Sequence, residues 1–290
     1  MNLFKPDQSI ELGGLNYQIV KLLKQGSGRA FNEVWKFRAD NKFFAAKFCL
    51  KISQQREPYI KREIEAYLKL RSSSFAKLCD YGVYSPISPN EIELDYFVLE
   101  FIEGPTLFDI IDSDNRFDRK GQLLDFKEAF SHARKLARIL LEIENQELVY
   151  TDLKPGDIIV GERMVLLDLD SCLSNGTFTS NFEKLTTPLY SSPEISSALY
   201  SSGIFVARST STIFSYGSLL FELFTQVEVF SAENPKAAYE RICQYEPPFS
   251  ILTQRGVPQA VIEVIKKCLQ KDPANRFQSF REVLNAFENI

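Results

Sequence analysis

The sequence predicts an α+β protein in two parts: a small antiparallel β-sheet lobe holding one helix, then a larger, mainly α-helical lobe. Three observations carry this. Up to about residue 102, short β-branched and aromatic runs are separated by glycines and charged turns. After Glu103-Gly104-Pro105 the apolar residues recur at helical spacing instead. Across 290 residues, 44% hydrophobic and 25% charged side chains supply apolar mass for one large domain or two small ones and exclude disorder as the main state.

The elements follow in order. Residues 17–34 and 42–50 read as hairpin strands, broken by Gly26, Gly28 and the polar stretch 38–42. The segment 57–70 opens with an acid and a proline and puts Ile60, Ile64, Tyr67 and Leu68 at helical spacing. Strands resume at 77–84 and 94–102. The helical part starts at 126–145, with a stripe of Phe130, Ala133, Leu136, Ala137, Leu140 and Leu141. Further helices are expected at 212–225, 234–244, 258–270 and 280–288, whereas 168–208 is polar, serine-rich and poor in periodicity. The expected division is a first lobe over about 1–102, a connector over about 100–106 and a second lobe over about 107–290.

Charge and rare residues narrow the chemistry. With 34 basic against 38 acidic side chains the net charge is -4, so nothing draws the whole chain to nucleic acid or an anionic membrane, although a local basic groove remains open. The five cysteines (Cys49, Cys79, Cys172, Cys243, Cys268) are dispersed, odd in number and form no C-x-x-C, which argues for reduced thiols rather than disulfides or a zinc cluster. The single histidine, His132, is expected to face solvent or cap a polar contact on its helix. Multi-histidine metal chemistry is therefore out, and reactivity must run on carboxylates, lysine and backbone. Residues 1–14 lack a basic segment followed by an apolar core, and no stretch approaches the roughly 18 apolar residues of a membrane span. The chain reads as soluble and cytoplasmic, with delivery into another cell an open alternative.

Gly26-Ser27-Gly28 follows a strand, and Lys47 lies on the next one in Ala45-Ala46-Lys47. Glycines at a strand turn let backbone amides approach a phosphate, and a neighbouring lysine adds a point charge. By itself such a turn beside a lysine is commonplace. Further on, Tyr150-Thr151-Asp152-Leu153-Lys154-Pro155-Gly156-Asp157 puts two carboxylates and a lysine in a loop bounded by hydrophobic runs, and Asp168 and Asp170 end a short apolar strand. Hard cations seek such oxygen ligands together with phosphates.

In this order of motifs, over nearly its whole length, the chain resembles the eukaryotic-type Ser/Thr protein kinase family in a divergent form. The resemblance implies the two-lobed kinase fold, ATP as phosphoryl donor, Mg2+ or Mn2+ as cofactor, and a protein with a Ser/Thr acceptor as substrate. It implies that Lys47 holds the nucleotide phosphates, oriented by Glu63, below a glycine loop of Gly26, Ser27 and Gly28. Leu99, Glu100, Phe101 and Ile102 would form the hinge to adenine, with Val34, Ala45 and Ile159 against the purine. Asp152 would accept or orient the substrate hydroxyl, Lys154 would steady the transferring phosphoryl, and Asp157 with Asp168 would bind metal. Glu194, in Ser192-Pro193-Glu194, and Arg276, in Asp272-Pro273-Ala274-Asn275-Arg276, match the family's structural ion pair.

The sequence departs from the pattern at several points. Asn32, or Phe31 if no insertion is allowed, stands for the third glycine; for asparagine a tolerance of positive φ would matter. Tyr150-Thr151 replaces His-Arg, and Thr151 cannot pair with an activation-loop phosphate on Thr179, Ser180 or Thr186. Asp157 replaces an asparagine, crowding the acids and favouring manganese. Asp170 replaces a glycine that gives the segment freedom to switch, and Thr212 replaces an aspartate, with capping of the helix as its expected role. These changes support an alternative, a pseudokinase scaffold with little transfer activity. A small-molecule phosphotransferase is a further alternative, and an activating protein partner is a further expectation.

Overall fold

The computed structural model describes residues 3–25, 32–50, 59–85, 93–112, 124–179, 187–200, 203–288 and 290. The chain divides into two compact units, Met1–Glu103 and Gly104–Ile290.

The first unit is built on one antiparallel sheet. Its strands are β1 (Ser9–Leu12), β2 (Leu15–Gln25), β3 (Asn32–Ala39), β4 (Lys42–Leu50), β5 (Leu78–Tyr84) and β6 (Leu94–Glu100), in the spatial order β1-β2-β3-β4-β6-β5. Because side chains alternate across a strand, register decides which face each residue joins. Trp35 lies opposite Ala46 and Phe37 opposite Phe44, while Ala46 faces Val98 on β6. That face is buried beneath Phe4, Tyr17, Ile19 and Phe48. Phe4 meets Trp35 and Phe48 edge-on at 5.6 and 4.9 Å between centroids. The opposite face carries Val34, Ala45, Lys47 and Leu99, since Val34 pairs with Lys47, Lys47 with Phe97 and Ala45 with Leu99.

The one helix described in this unit is α1 (Tyr59–Lys69). Of the stripe expected from spacing, Ile60 and Tyr67 are buried, but Leu68 is exposed. The buried line runs Ile60, Glu63, Tyr67, Leu70 instead, because the Glu63 carboxylate is drawn inward by Lys47. Asn32 is likewise corrected: it pairs with Cys49 as the first residue of β3 and needs no left-handed backbone.

The second unit is mainly helical: α2 (Leu107–Ile111), α3 (Phe126–Asn145), α4 (Pro193–Tyr200), α5 (Ser209–Thr225), α6 (Pro235–Gln244), α7 (Ser250–Gln254), α8 (Gln259–Cys268) and α9 (Phe280–Glu288). Asp125 caps α3 by accepting from the Glu128 N–H. In α5 every residue from Thr210 to Thr225 is buried, and the Ser215, Ser218 and Thr225 hydroxyls are satisfied by donating back to the carbonyls of Ser211, Phe214 and Phe221. Gly217 on α5 is needed for packing, since a Cβ there would come within 2.6 Å of the Cys268 Cβ on α8. His132 does not face solvent; it is buried in α3, with Nε2 3.8 Å from Glu128 Oε1.

Short strand pairs frame the loops of this unit. β7 (Leu148–Tyr150) pairs with β10 (Cys172–Ser174), β8 (Ile158–Val160) with β9 (Met164–Leu166), and β11 (Phe178–Thr179) with β12 (Phe205–Val206). Three of these strands and α4 lie in the stretch 168–208, where the sequence showed little periodicity. At Gly104 (φ 142) a Cβ would meet Gly161 Cα and Ile159 Cγ2 at 3.1 Å, so only glycine lets the chain pass β8 here. The five cysteines are all free thiols, and no helix among the described residues is long and apolar enough to cross a membrane.

Candidate active site

In the first unit, Lys47 is the centre of the candidate residues. Its Nζ donates to Glu63 Oε2 at 2.6 Å, and both side chains are buried. A buried ammonium requires such a partner, and the ion pair fixes its head on the sheet face shared by Val34, Ala45 and Leu99. In the following segment, Glu100 N–H donates to Lys77 O at 3.0 Å and Phe101 N–H to Phe43 O at 3.1 Å. Ile102 N–H makes no hydrogen bond among the described residues. Lys36 holds the segment from the side, 4.0 and 3.9 Å from the Phe43 and Phe101 ring centres and 3.8 Å from Glu103. Gly26, Ser27 and Gly28 lie outside the described residues, as do the side chains of Thr179, Ser180 and Thr186.

In the second unit, the loop after β7 gathers the remaining polar groups. A 3-10 turn at Pro155–Asp157 carries Lys154 at its start and Asp157 at its end. Lys154 Nζ contacts Asp152 Oδ2 and sits 2.9 Å from Asp157 Oδ2. Burial opposes the lysine's charge, but the Asp157 and Asp152 carboxylates outweigh it and raise its pKa. Asp157 itself is pushed up to about 7, by burial first and by Asp168 next, against the pull of Lys154. Asp152 Oδ1 is buried and accepts no hydrogen bond among the described residues, so it is the acceptor with capacity to spare. Ile159 follows on β8, fixed against Gly104.

Asp168 ends the run after β9 in a left-handed conformation, φ 57 and ψ 61, at a cost of ~1 kcal/mol for a residue with a Cβ. The buried Tyr150 hydroxyl lies 3.2 Å from Leu167 O and 3.3 Å from Asp168 O, bracketing that bend. Burial, then the nearby Asp157 and Asp152, drives the phenol far above its ordinary pKa, so it stays a neutral donor.

Elsewhere in the unit Glu194, on α4, and Arg276 form a bidentate pair: Nη1 to Oε1 and Nη2 to Oε2, both at 2.9 Å. Arg276 is fully enclosed and also donates to the carbonyls of Gln270, Thr210 and Lys271. Burial tends to raise the Glu194 pKa, but the hydrogen bonds and charge of Arg276 hold the carboxyl below its usual value.

Comparison with known proteins decides the family. Residues 17–287 match the sequence family described as protein kinase domain. The chain belongs to the protein kinase family. It is 26% identical over 286 residues to a probable serine/threonine-protein kinase of Clostridium perfringens, covering 96% of this chain and 38% of that one. With the serine/threonine-protein kinase PksC of Streptomyces coelicolor it shares 28% over 283 residues, covering 92% and 48%. With PrkC of Bacillus subtilis, another serine/threonine-protein kinase, it shares 25% over 227 residues, covering 77% and 32%. The kinase domain thus spans less than half the length of these relatives, and identity near a quarter marks it as divergent.

Several residues of this kinase domain matter in ways that sequence reasoning missed. Thr151 Oγ1 donates to Ser171 O at 3.0 Å, tying the loop of Asp152 to the 3-10 turn Leu169–Ser171. Asp170 lies inside that turn, whose right-handed backbone does not need glycine. Thr212 is not a cap: α5 starts at Ser209, and the Thr212 hydroxyl reaches back to Tyr150 O at 2.8 Å. The Tyr190 hydroxyl donates to Glu222 Oε2 at 2.6 Å, and burial pushes Glu222 up to about 7. The only signal for these in the sequence is polarity at positions of otherwise apolar runs.

Proposed function

We propose that this kinase domain transfers the γ-phosphoryl group of ATP to Ser/Thr hydroxyls of protein substrates. The observation that carries this is the Asp152–Lys154–Asp157 cluster, an ion-paired group whose Asp152 retains one unpartnered buried oxygen. That oxygen can accept the proton of an incoming hydroxyl, aligning it for attack, while Lys154 places positive charge where the transferring phosphoryl carries negative charge. Lys47, steadied by Glu63, would hold the nucleotide's α- and β-phosphates. In the first unit, Ile102 would offer a backbone donor to the adenine edge, and Val34 and Ala45 would offer apolar surface to the purine.

Asp157 and Asp168 fit a divalent cation by donor chemistry: both are carboxylates, and burial, with Asp168 adding to it, pushes the Asp157 pKa up to about 7, so a nearby cation would relieve the cost of its charge. When bound, Mg2+ or Mn2+ would neutralise phosphate charge and orient the phosphates. Four acids at 152, 157, 168 and 170 favour the ion that sheds water more readily, so manganese is the expected preference. Ser/Thr acceptors are inferred from the three relatives, each a serine/threonine-protein kinase by name.

The test is a metal-dependent assay with labelled ATP and basic protein substrates. Activity is expected to vanish with chelator, to be higher with Mn2+ than Mg2+ at equal concentration, and to fall by about 100-fold or more in Asp152→Ala and Lys47→Met. Activity that survives both substitutions would reject this site. A scaffold reading draws on Thr151 and Asp157; a folded domain that binds nucleotide without transferring phosphate would establish it.

A further inference from the structure

We propose that the outer face of α3 is a docking groove for a short acidic peptide segment of a partner protein. Lys127, Arg134, Lys135 and Arg138 are spaced so that all four lie along one side of the helix. Lys127, Lys135 and Arg138 are exposed and Arg134 half-buried, and none of the four forms an ion pair with a carboxylate among the described residues. Glu128, the acid nearest in sequence, is turned to His132 instead. In a chain of net charge -4, four cations on one helix face, none ion-paired among the described residues, form a local field that attracts anions.

The cations border an open groove of about 280 Å³, whose apolar part is Phe126 and Phe130. Both rings are fixed from beneath: Phe126 stacks on Phe224 at 5.9 Å and 26°, and Phe130 meets Phe287 edge-on at 5.2 Å. Arg134 lies over the Phe130 ring at 6.0 Å. A floor already ordered in this way loses little freedom when a ligand binds.

Size and boundaries favour a peptide over the larger polyanions. From Lys127 to Arg138 the helix rises about 16 Å, the reach of about five extended residues. Acids follow the stripe on the same helix at Glu142 and Glu144, so the positive field does not continue. Nucleic acid and anionic membranes engage longer or wider basic tracks. The matching ligand has two or more acidic side chains flanking one aromatic residue that enters the groove beside Phe130.

The full chain would be titrated, by fluorescence anisotropy, into labelled Glu-Glu-Phe-Glu-Glu. Saturable binding is expected, weakened about tenfold or more by Lys135→Glu with Arg138→Glu, by raised salt, and by glycine in place of the peptide's phenylalanine. Lys135→Gln with Arg138→Gln serves if charge reversal impairs folding, judged by the thermal midpoint, and should weaken binding in the same direction. Absence of binding, or binding unaltered by a folded variant, overturns the proposal. So does tighter, Lys135- and Arg138-dependent binding of a thymidine oligonucleotide or of phosphatidylserine vesicles.

Discussion

Arg276 is enclosed among three carbonyls and one carboxylate, so Glu194 is the one counter-charge it contacts among the described residues. Removing that charge leaves a guanidinium buried without compensation, which is far costlier than loss of a surface pair. Glu194→Gln is expected to lower unfolding stability by about 3 kcal/mol in urea titrations. Thr212 acts on a smaller scale through one hydrogen bond to Tyr150 O. Thr212→Val keeps the shape but strands that buried carbonyl, and should cost about 1–2 kcal/mol in the same titration. Because Tyr150 also brackets the bend at Asp168, the variant should lower kcat more than it raises KM.

At the scale of elements, the loop bearing Asp152 is braced by its own neighbours. β7 pairs with β10, Thr151 is bonded to Ser171 in the intervening turn, and Thr212 reaches in from α5. The Thr151 hydroxyl is thus committed to a backbone carbonyl, and the position offers no cation to a phosphate on the segment that follows. Phosphatase treatment is expected to leave the rate of substrate phosphorylation within about twofold of the untreated sample. Loss of activity, with recovery on rephosphorylation of Thr179, Ser180 or Thr186, would contradict this.

For the whole molecule, the buried acids set how stability depends on pH. Glu222 titrates near its ordinary value when unfolded and at about 7 when folded. The folded state therefore holds a proton that the unfolded state has released, and stability falls as pH rises from about 4.5 to 7. Asp157, also raised to about 7, adds in the same direction. Glu222→Gln can still accept from Tyr190 and has no proton to lose. Its stability at pH 8 relative to pH 5 should exceed the parent's by as much as about 3 kcal/mol, read from urea unfolding at both pH values. An unchanged pH dependence would mean that the carboxyl ionises in the fold as it does in the unfolded chain.

The sequence by itself determined the class of the fold, the turn from β-rich to helical texture near Gly104, and the identity of the chemical groups available. Hydrophobic period is a local property, so long elements such as α3, α8 and α9 were legible within a few residues. Short ones, β10 to β12 and α4, carry too few residues for a period and exist only because a distant partner completes them. The same holds for single residues. Lys47 could be assigned to a strand and Glu63 to a helix, and the resemblance paired them; that the pair is buried, with Glu63 on the inward line of α1 and Leu68 exposed, is a tertiary fact. His132 went inside because α3 buries more of its circumference than its apolar stripe spans. What only tertiary structure decided is which polar groups outside the family's motifs answer one another across the chain: Thr212 with Tyr150, Thr151 with Ser171, Glu222 with Tyr190. A hydrogen bond depends on distance and direction in space, and residue spacing along the chain encodes neither beyond the next turn of helix or strand.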